Sequence, residues 1–278
     1  MKSQGRPLGI KIKRLLVKTL YESKLFTNEI QKCPICNSKG DFIYRNALTD
    51  LHKCTSCNHV YAIKVPNDIL LRIMYCGFYY WMQDRNHQGI TELHPSDQWN
   101  TFLSSRLEIL NRMGVLDTAN VNVFEIGCSE GMLLKEIRDK YKANVAGCEI
   151  NAQIANAGIG VLGIPIIKGS FESIEINQDT YDLIISYHTL EHMASPCSVL
   201  DKICFALKAT GTVVINVPCD EGEFDNLDHL HTFSSKSLRF LLEKYFFNVD
   251  IFEGMYEDIE GANLKSLYGV GRVLHNAP

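Results

Sequence analysis

The sequence predicts an α/β protein in which a Rossmann-like sheet follows a small N-terminal zinc ribbon. Three observations support this fold class. The β-rich run at residues 121–126 is apolar enough to be buried on both faces, and it turns through glycines into a helix-like segment. A second strand-like run ends in Glu149, as expected of a βαβ unit. Two Cys-x-x-Cys pairs precede both runs.

Length and composition suggest how the chain is divided. With 278 residues and 46% hydrophobic content, it can bury one full core and still carry an appendage. We expect a basic amphipathic helical segment at 1–30, the zinc ribbon at 31–65, a helical linker or cap at 66–118, and the main α/β domain at 119–278. The net charge of −4 gives no general attraction to nucleic acid, so polyanions are not the default partner.

The first 30 residues carry seven basic side chains against two acidic ones, interleaved with aliphatic residues. Two interpretations stay open: peripheral contact with an anionic membrane surface, or packing against the protein itself. The scarcity of aromatic anchors favours packing. No apolar run approaches the roughly 18 residues that span a bilayer, and the N-terminus lacks a secretory signal pattern. We therefore expect a soluble, cytoplasmic protein.

The two cysteine pairs are Cys33-Pro-Ile-Cys36 and Cys54-Thr-Ser-Cys57. Seventeen residues separate them, which is the spacing of a paired-knuckle zinc site. Four thiolates complete a tetrahedron and leave no open position, so the zinc is expected to be structural. Short strands at 42–44 and 59–63 complete the ribbon, whose core is too small to fold without metal. The remaining cysteines are expected to be reduced and inert.

The turn after the first strand of the main domain has the features of a nucleotide-binding loop. Gly127 and Gly131 permit positive φ and close approach of the backbone to a ligand, in front of a helix N-terminus. About twenty residues further on, Glu149 stands where a carboxylate binds ribose hydroxyls. Ser129 occupies the middle glycine position of the dinucleotide fingerprint, which disfavours a nicotinamide cofactor.

These motifs, Glu125-Ile-Gly-Cys-Ser-Glu-Gly131, Glu149 and Tyr181-Asp-Leu-Ile-Ile-Ser-Tyr-His-Thr-Leu-Glu-His192, resemble those of the class I S-adenosylmethionine-dependent methyltransferases, over roughly residues 95–278. The resemblance implies a seven-stranded sheet and S-adenosylmethionine as cofactor. In that family the first loop wraps the methionine part, the acid after the second strand binds ribose, and the segment after the third strand holds adenine. The implied cofactor-binding residues are Glu125, Gly127, Cys128, Ser129, Gly131, Glu149, Ile150, Ser170, Phe171 and Tyr187.

The rest of the main domain follows the same α/β pattern. Apolar periodicity predicts helices at 68–75 and 97–113. The four aromatics at 78–81 either line a cleft or pack in the core, and both interpretations stay open. The fourth and fifth strands are expected at 181–186 and 212–217, and the last two at 246–253 and 266–274. Ser234 is expected to cap a helix at 235–245.

Methyl transfer from a sulfonium is an in-line displacement, so a base is needed only when a hydroxyl or carbon acid must lose a proton. Histidine suits this role near neutral pH. His229 follows Asp228, and the pair resembles the Glu-His dyad of deoxysugar C-methyltransferases. We therefore place His229 first as the catalytic base. His192 and His188, at the carboxyl end of the fourth strand, are the alternatives.

The acceptor is predicted to be a small polar molecule, a sugar or sugar nucleotide of surface-glycan biosynthesis. O-methylation is favoured because the chain lacks the large C-terminal domain of the longer sugar C-methyltransferases. The main alternative is a ribosomal RNA base methyltransferase that uses its ribbon to recognise RNA. A non-enzymatic cofactor-binding scaffold is a lesser alternative. So is an α/β-hydrolase, because Gly127-Cys-Ser-Glu-Gly131 also matches G-x-S-x-G.

Overall fold

A computed structural model describes residues 18–46, 48–75, 97–116, 120–219, 229–257 and 263–273. It contains the predicted seven-stranded sheet and, near the N-terminus, a clustered set of four cysteines. The strands are β1 Thr27–Glu29, β2 Gly40–Arg45, β3 Asp50–Cys54, β4 Val60–Ala62, β5 Lys64–Pro66, β6 Asn122–Ile126, β7 Asn144–Glu149, β8 Ile166–Lys168, β9 Tyr181–Tyr187, β10 Leu207–Pro218, β11 His231–Thr232, β12 Asn248–Glu257 and β13 Asn263–Arg272. The helices are α1 Asp68–Ile73, α2 Asp97–Arg112, α3 Met132–Tyr141, α4 Ala152–Ala157, α5 Pro196–Ala206 and α6 Ser235–Leu242.

The large sheet has the strand order β12-β13-β10-β9-β6-β7-β8. The five strands from β10 to β8 are mutually parallel, and their apolar sequences are buried because helices cover both faces. From β6 the chain moves outward through β7 to β8 and then returns to the other side of β6 with β9. This reversal creates a switch point between β6 and β9, where open α/β sheets bind ligands at the carboxyl ends of their strands.

The antiparallel strands β12 and β13 complete the sheet beyond β10. Glycine appears at two inward positions on β13 because helix α6 and its following turn pack there. A Cβ at Gly269 would lie 2.5 Å from a side-chain carbon of Leu242, and one at Gly271 would lie 2.5 Å from the ring of Phe246. Close packing of α6 and its following turn against β13 therefore explains why glycine occupies these two positions.

The zinc-ribbon region forms a second, four-stranded antiparallel sheet with the order β11-β4-β3-β2. Strand β11 comes from residues 231–232, far along the chain, and pairs His231 with Tyr61 and Thr232 with Val60. Ribbon side chains, including the buried Ile35, also join the same apolar core as Phe233 and Leu238. The predicted domain limits stay a prediction. The structure adds that the ribbon and the main domain share a sheet and a core.

Local sequence signals account for most element boundaries. Asn37 and Asn58 adopt positive φ after the two knuckles, as asparagine tolerates. Ser234 caps α6 in a reciprocal arrangement with Ser237, and the helix ends at Leu242, earlier than predicted. Strand β10 starts earlier than predicted, at Leu207, with an irregularity in its pairing with β9 before Thr212.

Some sequence expectations fall outside the described residues. These are most of the basic N-terminal segment (residues 1–17), the aromatic run at 78–81, and the acidic segment at 220–228 that contains Asp228. Among the described residues, no helix is both long and apolar enough to cross a membrane.

Candidate cofactor and acceptor site

A cavity of about 250 Å³ opens at the switch point. This volume suits a small organic ligand rather than one or two water molecules. The residues following β6, β7, β8 and β9 supply most of its wall, and the segment around α1 supplies the rest. The lining residues are Leu71, Tyr75, Ile126, Gly127, Ser129, Cys148, Glu149, Ile150, Gly169, Ser170, Phe171, Glu172, His188, Thr189, His192 and Met193.

The loop after β6 depends on left-handed backbone at three positions. Gly127, Ser129 and Gly131 have φ of +68°, +52° and +82°. A Cβ at Gly127 would lie 2.6 Å from Oγ1 of Thr189, so a side chain there meets both backbone strain and a clash. Gly131 packs against Ile164 and precedes helix α3 without a side-chain cap. The glycines therefore let the loop turn tightly under the cavity.

Glu149, at the end of β7, forms hydrogen bonds with the loop after β6 and with the residues that follow β7. Its Oε2 accepts a hydrogen bond from the Ser129 N–H at 3.1 Å, and its Oε1 accepts one from the Asn151 N–H at 2.8 Å. Burial raises the pKa of Glu149, and these two hydrogen bonds act in the opposite direction. Each carboxylate oxygen keeps acceptor capacity toward the cavity.

Glu125 is the most buried acid beside the nucleotide loop, with 3% of its surface exposed. Its Oε2 has no hydrogen-bond partner among the described residues. Burial raises the pKa of Glu125 to about 8, the Arg106 charge opposes that rise, and the neighbouring Glu130 and Glu149 add to it. A buried carboxyl oxygen without a hydrogen-bond partner lowers the stability of the fold, and a cationic donor beside it would restore that stability.

A lysine on α5 holds the turn after β8, the segment that the sequence predicts to bind adenine. Nζ of Lys202 donates to the carbonyl oxygen of Phe171 at 2.6 Å, reaches that of Glu172 at 3.5 Å, and also donates to that of Ile174. Its ammonium also lies 5.1 Å from the centre of the Phe171 ring. Ser170 and Phe171 are thereby presented at the cavity wall as one ordered turn.

A carboxylate and three histidines gather beyond β9. Glu191 is 1% exposed, and its Oε1 lies 3.5 Å from Nδ1 of His188 and 3.8 Å from Nε2 of His192. Ligating atoms of Glu191, His192 and His229 all lie within 4.8 Å of one another. Burial acts to raise the pKa of Glu191, but the three imidazoles outweigh it and hold this pKa at about 2. His188 makes the largest of these lowering contributions, across a separation of 3.5 Å that is long for a hydrogen bond.

The predicted catalytic residues take different positions in this cluster. His188 and His192 line the cavity. His229 packs edge-on against His192 with ring centres 4.9 Å apart, and it is not among the lining residues. Asp228 lies outside the described residues. The structure thus brings three of the four candidates together.

The predicted cofactor residues divide in a similar way. Six line the cavity: Gly127, Ser129, Glu149, Ile150, Ser170 and Phe171. The other four lie behind its wall: Glu125, Cys128, Gly131 and Tyr187. Cys128 packs closely against Gly147, since a Cβ added at Gly147 would lie 2.7 Å from the Cys128 sulfur. Tyr187 is buried in the core, under Arg106 at 4.3 Å and beside Tyr268.

Sequence reasoning missed several contributors. Arg106 lies on α2, far from the nucleotide motif in sequence, and affects Glu125 only through the fold. Leu71 and Tyr75 form part of the cavity wall, and Nδ2 of Asn151 donates to the Tyr75 carbonyl. Glu191 was visible in the Leu-Glu-His triplet, but no local pattern indicated that three imidazoles would surround it.

The four ribbon cysteines form a compact thiol cluster. Sγ of Cys33 lies 3.6 Å from Sγ of Cys57, and Sγ of Cys36 lies 3.3 Å from Sγ of Cys54. Thiolates bound at about 2.3 Å around a tetrahedral zinc are about 3.8 Å apart. All four sulfurs lie within 4.8 Å of one another. The donor set and its spacing therefore fit zinc.

Two buried histidines connect the ribbon to the segment that follows β9. Nε2 of His231 lies 2.9 Å from the carbonyl oxygen of Met193, so it donates. Its Nδ1 then accepts from Nε2 of His59 at 3.0 Å. Burial lowers the pKa of both imidazoles, that of His231 to about 4, so both are neutral. These two hydrogen bonds connect His59, the residue before β4 of the ribbon, to Met193, the residue that follows His192.

Comparisons with known proteins agree with this geometry. Residues 100–250 match a family described as a methyltransferase domain. No curated protein matches the chain significantly. The fold resembles that of the Burkholderia thailandensis 1,6-didemethyltoxoflavin-N1-methyltransferase with bound S-adenosylhomocysteine, with TM-score 0.56, 12% identity, and coverage of 84% of this chain and all of that chain.

Two further structures share the fold. Phosphoethanolamine N-methyltransferase 2 of Haemonchus contortus, in complex with S-adenosyl-L-methionine, has TM-score 0.53 and 11% identity, with coverage of 62% and 53%. A methyltransferase complex with the Haloferax volcanii Trm112 activator has TM-score 0.50 and 15% identity, with coverage of 65% and 99%. The chain belongs to the methyltransferase-domain family and is a class I S-adenosylmethionine-dependent methyltransferase.

Proposed function

We propose that the enzyme methylates a hydroxyl of a small polar acceptor, a sugar or sugar nucleotide of surface-glycan biosynthesis. The observation that carries this proposal is the pairing of cavity-lining histidines with the buried carboxylate of Glu191. A neutral amine attacks a sulfonium without prior deprotonation, whereas a hydroxyl must give up a proton to a base. A histidine oriented by a carboxylate is the arrangement that supplies such a base.

In this proposal the chain's carboxylates hold the cofactor. S-adenosylmethionine supplies an electrophilic methyl group when bound. Glu125 lies directly behind the lining residues Ile126 and Gly127, and its unpartnered oxygen would take the cofactor's ammonium there. Glu149, which lines the cavity, would accept from the ribose hydroxyls. Ser170 and Phe171, held by Lys202, would receive the adenine. Cys128, Gly131 and Tyr187 would act from behind the wall by shaping the loop and its support.

We assign the base to His188 rather than to His229. His188 lines the cavity, and its backbone has φ +49°, an uncommon conformation for a residue other than glycine. Such strain concentrates at functional sites, where the surroundings hold it. The nearby Glu191 carboxylate favours a proton on Nδ1 of His188, which makes Nε2 the basic nitrogen. His192 is the alternative base on the same wall.

The acceptor class rests on chemistry and on resemblance. The similarity of the segment around His229 and of the ribbon to sugar methyltransferases supports a sugar acceptor. Two structural neighbours carry the names of enzymes for small acceptors, phosphoethanolamine and 1,6-didemethyltoxoflavin. Zinc in the ribbon would be structural, because four thiolates leave no coordination position for a substrate.

A ribosomal RNA acceptor is the second candidate, and one observation favours it. Phe42 and Tyr44 on edge strand β2 are 58% and 37% exposed, with Lys39 and Lys53 close to them in the ribbon. Exposed aromatics among basic residues can stack on unpaired bases. Against this, Arg45 on the same strand is paired with Asp50, which reduces the positive charge there.

The test is methyl transfer from labelled S-adenosylmethionine to three acceptor panels: nucleotide sugars, small amines and ribosomal RNA. We expect label on a sugar oxygen, seen as a methoxy signal by nuclear magnetic resonance. His188→Asn should abolish this transfer while retaining cofactor binding, because asparagine tolerates the positive φ. Label on an amine would contradict the hydroxyl proposal. Label on RNA that falls in Phe42→Ala and Tyr44→Ala would establish the second candidate.

A further inference from the structure

We infer that Glu191, His192 and His229 form a binding site for a divalent transition-metal cation at the acceptor end of the cavity. The inference deepens the proposed function and rests on it for its role, although the site itself can be tested separately. It is a different site from the four-cysteine cluster, which has its own ligands in the ribbon.

The first argument is the chemistry and spacing of the donors. Two imidazoles and one carboxylate are a ligand set that first-row divalent cations favour, and it leaves coordination positions open. The three ligating atoms lie within 4.8 Å of one another, with Glu191 Oε1 3.8 Å from His192 Nε2. Donors bound at about 2.0–2.2 Å from one metal are about 3–4 Å apart, so the group needs only slight contraction around a cation.

The second argument is the state of Glu191 itself. Its side chain is almost completely buried, and neither carboxylate oxygen has a hydrogen-bond partner among the described residues. A buried charge without a close donor is expensive, and facing imidazoles at 3.5 and 3.8 Å relieve only part of that cost. A cation between the carboxylate and the imidazoles would satisfy both oxygens.

The surrounding fold holds the three ligands from separate directions. Glu191 and His192 lie on one short helical turn, Leu190–His192, at the end of β9. The N–H of Leu230 donates to the Glu191 carbonyl at 2.8 Å and so positions the neighbouring His229. His231 then anchors the same segment to Met193. One backbone and one side-chain hydrogen bond therefore hold the segment of His229 beside the turn that carries Glu191 and His192.

The location gives the cation a role. His192 lines the cavity, and so does His188 on the other side of Glu191. An acceptor hydroxyl that coordinates an open position would lose its proton to the proposed base, His188, more readily, because a divalent cation lowers the pKa of a bound hydroxyl. The same coordination would favour acceptors with neighbouring hydroxyls, which is a feature of sugars.

The probe is Mn²⁺, which disfavours the soft thiolates of the ribbon and is detected by electron paramagnetic resonance as loss of the free-ion signal. Purified full-length protein with zinc already bound in the ribbon is titrated with MnCl₂. We expect one tight equivalent. Glu191→Gln and His229→Ala should each weaken it by more than about 100-fold, since loss of even an outer-shell partner costs 10–100-fold.

Glu172→Gln is the matched control, because Glu172 is a partly buried carboxylate that lines the same cavity outside the cluster. It should leave Mn²⁺ binding unchanged. Calorimetric binding of S-adenosylhomocysteine to each variant reports folding and tests the cofactor site separately. Absence of tight Mn²⁺ binding in a protein that binds S-adenosylhomocysteine would overturn the cation site and leave the proposed function intact. Binding that survives both ligand substitutions would also overturn it.

Tight Mn²⁺ binding in a protein that does not bind S-adenosylhomocysteine would support the cation site and contradict the proposed function. Mn²⁺ titration therefore tests the cation site, and S-adenosylhomocysteine titration tests the proposed function. A last arm compares methyl transfer with and without one equivalent of Mn²⁺. An increase of at least tenfold supports the catalytic role, and no change would overturn that role.

Discussion

Cofactor affinity should rise steeply with pH because of one buried acid. Glu125 has a pKa raised to about 8 from an ordinary value of 4.5, chiefly by burial. At neutral pH the free enzyme therefore holds this carboxyl in its protonated form. If the cofactor's ammonium binds beside it, the carboxyl must ionise, and cofactor binding releases a proton.

The magnitude follows from the pKa. At about pH 7, a group with a pKa of about 8 is about 90% protonated, so binding should release about 0.9 proton per ligand. Affinity then rises about tenfold per pH unit while the pH is below that pKa. Between about pH 6 and about pH 8 the gain should be about 50-fold, equivalent to about 2.3 kcal/mol.

The assay is calorimetric titration with S-adenosylhomocysteine, which keeps the ammonium and ribose but lacks the methyl group. Titrations at one pH in buffers of different ionisation enthalpy give the number of protons released. Glu125→Gln preserves shape and removes the titrating group, so it should bind more weakly at high pH and abolish the proton release. Glu172→Gln is the control, since this partly buried acid lines the cavity but has no assigned role toward the ammonium.

Two results would refute the reasoning. One is an affinity that does not change between about pH 6 and about pH 8 in the wild-type protein. The other is proton release that persists undiminished in Glu125→Gln, because the titrating group would then lie elsewhere. Either result would remove the assignment of Glu125 to the cofactor ammonium.

Three further changes test other parts of the structure. Gly127→Ala should destabilise the protein by about 2–4 kcal/mol in urea unfolding, because left-handed strain adds to the clash with Thr189. Gly163 has a similar positive φ, +63°, and a Cβ there would meet no atom within 4 Å, so Gly163→Ala should cost only the strain. Equal losses of stability in the two variants would contradict the clash. Chelating the ribbon metal should lower the melting temperature of the whole protein in one transition, since ribbon and main domain share a core; two separate transitions would contradict this. Lys202→Met should lower the free energy of unfolding by about 1–3 kcal/mol, because carbonyl groups of the segment predicted to bind adenine lose their donor. It should also weaken S-adenosylhomocysteine binding. Lys208→Met removes only the ion pair with Asp182 and should cost less than about 1 kcal/mol.

Much of the fold could be predicted because the signals were local. The run into Glu125, the glycines after it and Glu149 each depend on a few adjacent residues, and parallel strands bring their carboxyl ends to one edge. The ribbon thiols were equally accessible, because Cys-x-x-Cys spacing itself places two sulfurs on one turn. The prediction of a class I methyltransferase is confirmed by the family match and by the sheet.

What could not be predicted depends on long-range contacts. Strand β11 has only two residues and pairs with a ribbon strand about 170 positions earlier, so no periodicity reveals it. Arg106 reaches Glu125 from a separate helix. The environment of Glu191 required His188, His192 and the distant His229 to converge, which only the folded chain defines.

The central claim is that Glu149 and Glu125 hold opposite ends of the cofactor. A crystal structure of the enzyme soaked with S-adenosylhomocysteine tests it most directly. We predict both ribose hydroxyls within about 3.2 Å of the Glu149 carboxylate, and the ligand ammonium within the same distance of Glu125. A nucleoside bound away from Glu149, or an ammonium held by other groups while Glu125 stays unpartnered, would contradict the claim.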